Sequence, residues 1–111
     1  MFSVLISNTD DHLRNHGFLY SGNKGWTLSP LYDVNPSSDN KQILSTYITE
    51  YDNSQSLDLT LEVSEYFEIA ITEAKNIIEE MKKTLKNWKT EAKNIGLSKA
   101  ETEKMESAFK V

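Results

Sequence analysis

The sequence predicts a mostly α (α+β) domain in which a small β-hairpin precedes a helical half. Both prolines and three of the four glycines lie before residue 40, so turns concentrate in the first part of the chain. Two β-prone triplets, Phe18-Leu19-Tyr20 and Trp26-Thr27-Leu28, flank the glycine-rich link Ser21-Gly22-Asn23-Lys24-Gly25, the composition a hairpin requires. From Ile71 to Ile95 the apolar residues advance in alternating steps of three and four, which places them on one stripe of a helix.

Taken in order, Met1 to Ile6 reads as the last turns of a helix or as a short strand, leading into a polar loop. The hairpin sets Asn15 just before its first strand and Asp33 just after its second, and so turns the two residues back towards each other. Residues 35–55 read as loop, with Ile43-Leu44 and Tyr47-Ile48 as short elements. Leu57 to Val63 alternates apolar and polar residues, but Tyr66, Phe67 and Ala70 continue at helical spacing, so a helix from Leu59 to Ile69 is expected. The stripe Ile71, Ala74, Ile78, Met81, Leu85, Trp88, Ala92, Ile95 then predicts one long helix. Gly96 supplies its left-handed terminator and Leu97 folds back on the last turn. Ser98-Lys99-Ala100-Glu101 has the pattern of a capping box and opens a final helix reaching Phe109.

Composition narrows the function. At 111 residues, 38% hydrophobic and 26% charged, the chain is one globular domain rather than a disordered one. A net charge of −5 leaves no basic footprint, so direct binding of nucleic acid is not expected. The absence of cysteine excludes disulfides and thiolate metal sites and suits a reducing compartment. No apolar run approaches the roughly 20 residues of a membrane span, and the opening apolar segment lacks the basic lead-in of a signal peptide. A soluble cytoplasmic domain is the expectation.

The segment Asn8-Thr9-Asp10-Asp11-His12-Leu13-Arg14-Asn15, followed by Leu28-Ser29-Pro30-Leu31-Tyr32-Asp33, concentrates the chemistry. Asp10-x-x-x-x-Asn15 has the Asp-to-Asn spacing of a protein-kinase catalytic loop, and Asp33 stands where a metal-binding aspartate would follow. Phosphoryl transfer needs one carboxylate to orient the attacking hydroxyl and hard oxygen ligands for magnesium. Asp10 has the first role in this reading, and Asn15 and Asp33 the second. Taken by itself, Asn-Thr-Asp-Asp is also ordinary turn and N-cap composition.

Together the two motifs and the aromatic run between them resemble the C-terminal part of HipA-type serine/threonine kinases, the toxin kinases of bacterial toxin–antitoxin modules. The likeness is strong over residues 2–36 and looser through the helices, where Ala92-x-x-x-Gly96-Leu97-Ser98 also looks like the family. It implies the helical C-lobe of a protein-kinase-like fold over residues 1–111. Residues 1–36 would form the catalytic-loop and metal-loop segment and residues 57–111 a helical subdomain. It further implies Asp10 as catalytic aspartate, Asn15 and Asp33 as magnesium ligands, Asn8, Asp11 and His12 as supports of the loop, ATP as co-substrate, and a protein serine or threonine as acceptor.

Two classes of function fit this resemblance. One is a kinase C-lobe, active only when another polypeptide supplies the nucleotide-binding lobe, its phosphate-covering loop and its lysine, none of which precedes Met1. The other is an inactive remnant or interaction module that binds a protein such as an antitoxin or the missing lobe. Either way, an apolar surface should be exposed or covered by self-association. Three weaker readings are set against them. His12-x-x-x-His16 has zinc-site spacing but runs into Gly17 and lacks the accompanying glutamate. The stripe from Ile71 to Ile95 could be a coiled-coil seam, although a helix docked on its own core fits better. The run Lys82, Lys83, Lys86, Lys89, Lys93 is interleaved with Glu79, Glu80 and Glu91 and reads as a solvated face.

Overall fold

A computed structural model describes residues 1–111. The apolar opening forms α1 (Phe2–Leu5). A helix this short has no stability of its own, and burial of Val4, Leu5 and Ile6 holds it. It ends in a Schellman arrangement: Asn8 N–H donates to Ser3 O (2.8 Å) and Ser7 N–H to Val4 O (3.4 Å). Ser7 takes the left-handed position at φ 52°, where glycine would be the relaxed choice.

The hairpin pairs β1 (Phe18–Tyr20) with β2 (Trp26–Leu28) antiparallel, Phe18 opposite Leu28 and Tyr20 opposite Trp26. Its link is closed by Ser21 N–H to Gly25 O (2.8 Å), with Gly22 and Gly25 both at positive φ. All six strand residues are exposed. Of the short elements expected in residues 35–55, Ile43 forms an isolated antiparallel bridge with Ser54 and Leu44 is buried, whereas Ile48 lies in a turn bonded to Asp52.

The helical half departs from expectation in three places. The helix expected over Leu59–Ile69 is instead α2 (Leu57–Glu62), capped by Ser56 Oγ, followed by a 3-10 turn over Ser64–Phe67. Glu68 in the left-handed region (φ 59°) ends it, with Ile69 N–H returning to Ser64 O. Thr60 and Ser64 are buried here, so contact with α3, rather than the exposed Tyr66 and Phe67, sets the path of the chain.

The single helix expected through Ile95 is two, α3 (Ile71–Leu85) and α4 (Trp88–Asn94). Thr84 Oγ1 bonds back to Glu80 O (3.0 Å) and Asn87 N–H reaches only as far as Thr84 O (3.2 Å). Back-bonding of this kind bends a helix, and asparagine tolerates the turn that follows. The break lets Trp88 stack on Phe109 (centroids 4.1 Å, planes 8° apart).

α4 closes as the sequence predicts: Gly96 at φ 90°, Leu97 N–H to Ala92 O and Gly96 N–H to Lys93 O, each 3.0 Å. The Ser98–Glu101 capping box forms and opens α5 (Lys99–Lys104). That helix stops short of Phe109 and gives way to a 3-10 turn over Glu106–Ala108. Lys110 N–H then donates to Leu5 O (2.8 Å), so the tail seals the end of α1.

The core is small. Leu5, Ala74 and Ala108 are fully buried, joined by Val4, Ile6, Leu44, Ile78 and Ala92. The accessible surface is 8166 Å², against about 6,200 Å² for a compact monomer of this mass. The radius of gyration of 15.6 Å likewise exceeds the roughly 13 Å of a compact 111-residue domain. No helix is long and apolar enough to cross a membrane.

These placements separate two leucines. Leu5→Ala should cost about 3 kcal/mol through a cavity that cannot refill, whereas Leu19→Ala, on the exposed hairpin, should stay within about 0.5 kcal/mol. Urea denaturation of both variants followed by circular dichroism checks this, and equal losses would contradict it.

Candidate functional site

The loop after α1 is held from below. Ser7, Asn8 and Thr9 are buried, while Asp10 is exposed at the crest. Ser45 N–H donates to Thr9 O (2.9 Å) and Thr46 Oγ1 to Asp11 O (2.6 Å), so the bend after Leu44 braces the loop on both sides of Asp10. Asp11 turns inward: Oδ2 accepts from Ser3 Oγ (2.9 Å) and Oδ1 meets His16 Nε2 (2.8 Å). Its carboxylate therefore ties α1 to the start of the hairpin.

Asn15 closes the loop. It ends a one-turn 3-10 segment, Leu13–Asn15, and its side chain is buried. Oδ1 accepts from His12 N–H (3.0 Å) while Nδ2 donates to Asp33 Oδ2 (3.0 Å). These partners decide the amide orientation, because a backbone N–H can meet only the oxygen. Asp33 stands at φ 55° and its other oxygen accepts from Asn35 Nδ2 (2.8 Å). A non-glycine residue held there is strained, and such positions cluster at functional sites. Tyr32 OH donates to Arg14 O (2.7 Å) and Ser29 N–H to Gly17 O (2.8 Å), so the ladder of the hairpin runs on past its strands.

The two segments thus meet as the hairpin predicts. A cleft of about 520 Å³ lies between them, walled by Asn8, Thr9, Asp10 and Asp33 on one side and by residues 35–45 on the other. Its chemistry is polar and oxygen-rich: Asp10, Asp33 and Asp39 bring three carboxylates to a space reached by solvent. Such a cleft can accept a hydrogen bond from a hydroxyl and offer hard ligands to a small divalent cation.

His12 contributes through its backbone amide. Asn15 N–H is engaged by His12 O (2.8 Å), and imidazole Nδ1 is enclosed without a hydrogen-bond partner. His12 and His16 flank a single 3-10 turn rather than an α-helical one, and no group of three or more His, Asp or Glu side chains is placed to hold one metal ion. The zinc spacing in the sequence has no geometric counterpart.

Sequence reasoning missed the far wall. Asn35, Ser37, Asp39 and Lys41 line the cleft, yet they sit in a stretch that reads only as loop. The Asp33-x-Asn35 pair carried a local signal, since an asparagine two residues on from an aspartate can bond its carboxylate. Nothing local announces that Ser37 N–H reaches Ile6 O (3.4 Å) and so folds this stretch against α1.

The Asn15 contacts make a direct prediction. Asn15→Ala strands His12 N–H and frees Asp33, and should destabilise the chain by about 2 kcal/mol. Amide exchange should accelerate at His12 while Ala74 in α3 stays protected. Unchanged exchange at His12 would show that the loop does not depend on this side chain.

Compared with known proteins, the chain matches no curated protein and no solved structure. A family model does match: the HipA-like C-terminal domain, over residues 1–88. The matched span takes in the loop, the hairpin, the cleft and α3, and stops at the first residue of α4, before the looser likeness around Gly96. With most of its length covered, the chain belongs to the HipA-like C-terminal domain family.

Proposed function

We propose that this chain is the C-terminal lobe of a HipA-like serine/threonine protein kinase, carrying out ATP- and magnesium-dependent phosphoryl transfer when joined by a nucleotide-binding lobe. The observation that carries the reading is that Asp10 and Asp33 line one polar cleft while Asn15 is bonded to Asp33. Asp10, exposed and flanked by buried neighbours, would accept the hydrogen bond of an incoming serine or threonine hydroxyl and aim its oxygen at the transferred phosphorus.

The donor set fits magnesium, which takes one or two protein carboxylates and completes its shell with phosphate and water. Bound magnesium supplies neutralisation of the phosphate charge during transfer. Asp33 would hold it with either carboxylate oxygen. Asn15 Oδ1 accepts from His12 N–H and would offer its second lone pair to the ion. A bound ion would therefore act on the same side chains whose hydrogen bonds order the loop.

The experiment is calorimetric titration with magnesium–ATP, comparing the chain with Asp33→Ala. We expect binding at tens of micromolar, about 6 kcal/mol of binding free energy, and its loss in the variant. Equal heats in both proteins would remove Asp33 from the site, and no heat in either would turn attention to the second reading.

In that second reading the chain is an inactive module that binds a protein partner such as an antitoxin or the complementing lobe. A specific observation favours it: Phe18, Leu19, Tyr20, Trp26 and Leu28 are each between 54% and 69% exposed, although a two-stranded hairpin alone is marginal in water. Phe18, Tyr20, Trp26 and Leu28 share one face of the hairpin, and an exposed apolar face of this kind invites a partner or a second copy. Sedimentation velocity should therefore show concentration-dependent association, abolished by Phe18→Lys with Trp26→Lys. A strict monomer that binds no hydrophobic dye would contradict the expectation.

A further inference from the structure

Lys41 is the one basic residue among those lining the cleft that holds Asp10 and Asp33. Asp39 lines it too, so three carboxylates face a single ammonium. A polyphosphate entering such a space meets like charge on most sides. A divalent ion offsets part of that repulsion, and a fixed cation is needed for the rest.

The backbone at Lys41 is held while its side chain is loose. Asp39 Oδ1 accepts from Lys41 N–H (3.1 Å), and Asn40 between them takes a left-handed conformation at φ 58°. Just beyond, Gln55 N–H donates to Gln42 O (2.9 Å) and Leu44 is buried, which anchors the segment to the body of the domain. The Lys41 ammonium pairs with Asp39 Oδ2 at 3.2 Å, with both side chains largely in solvent. Exposed pairs of this kind are weak and exchange readily. The Lys41 backbone N–H, first among the causes, holds the Asp39 carboxyl below the ordinary carboxylate range, so Asp39 is charged at neutral pH and can keep the lysine at rest.

We propose that Lys41 is a phosphate-contacting residue: on ligand entry its ammonium leaves Asp39 and binds the polyphosphate chain of a nucleoside triphosphate in the cleft. The assignment rests on the phosphotransfer reading above and adds a cation from the C-terminal lobe itself. Asp39 becomes the competitor that the ligand displaces. Lys41 escaped notice in the sequence because it lies in loop, away from any strand that could present a phosphate-binding lysine.

The test uses two probes, magnesium–tripolyphosphate and magnesium–ATP, titrated calorimetrically into the chain and four variants. Lys41→Met should weaken both by about tenfold, the usual scale of one charge-assisted contact. Lys41→Arg should stay within about threefold and Asp39→Asn should tighten both, since charge is kept in one and the competitor removed in the other. Circular dichroism confirms the fold of each, an easy condition at exposed positions. If Lys41→Met binds as the unmodified chain does while Asp33→Ala loses binding, the Lys41 assignment falls and the phosphotransfer reading stands. If Lys41→Met loses tripolyphosphate while Asp33→Ala does not, the phosphate contact stands and the metal role of Asp33 falls. Failure of the unmodified chain to bind either probe overturns both.

Discussion

The Asn15 side chain is the interaction on which the rest of the site depends. One amide spans two segments, its oxygen on the loop at His12 and its nitrogen on Asp33 beyond the hairpin. Because the group is buried, each of its bonds must be met within the protein or the burial becomes unfavourable. That requirement links the curvature of the loop, the register of the hairpin and the strained backbone of Asp33. The carboxylates of Asp10 and Asp33 border the same cleft, and this cross-link joins a side chain of each segment that carries them.

Around that clamp the domain distributes its material unevenly. The buried residues gather where α1, α3, Leu44 and the C-terminal turn converge, and the cleft is lined by residues outside the helices. The hairpin projects from the core with both faces wet. Its strands are joined by Ser21 to Gly25 and tied down mainly at their base through Tyr32 and Ser29. Rigidity at the base and exposure at the tip suit a site fixed in position beside a surface left for contact.

Much of this was legible in the sequence, and the line between legible and hidden follows the range of the interactions. The hairpin, the Gly96 terminator and the Ser98–Glu101 box were readable because each is a bond pattern spanning fewer than about ten residues. The break at Lys86 and Asn87 was hidden because the three-four spacing runs through it undisturbed. A bend that keeps Trp88 directed inward leaves no mark on periodicity. The α2 helix was misplaced because Tyr66 and Phe67 suggested an inward face, whereas small polar Thr60 and Ser64 are the buried ones. The approach of Asn15 to Asp33 could be inferred from hairpin topology. The far wall of the cleft could not, since Ser37 to Ile6 and Ser45 to Thr9 are long-range contacts between residues with no distinguishing chemistry.

The bond from Lys110 to Leu5 has a consequence for how the chain comes to be folded. It joins positions 105 residues apart, and the fully buried Leu5 sits beside a turn whose Ala108 is equally buried. The loop that precedes Asp10 is thus seated on a core completed by a contact of very long range. Closing so long a separation carries an entropic cost that local helices do not share. The helices α3 and α4 rest on local bonds, whereas α1 is sealed only once residues 108–110 have docked against it. The seating of the Asp10 loop therefore depends on a long-range closure that the local helices do not need.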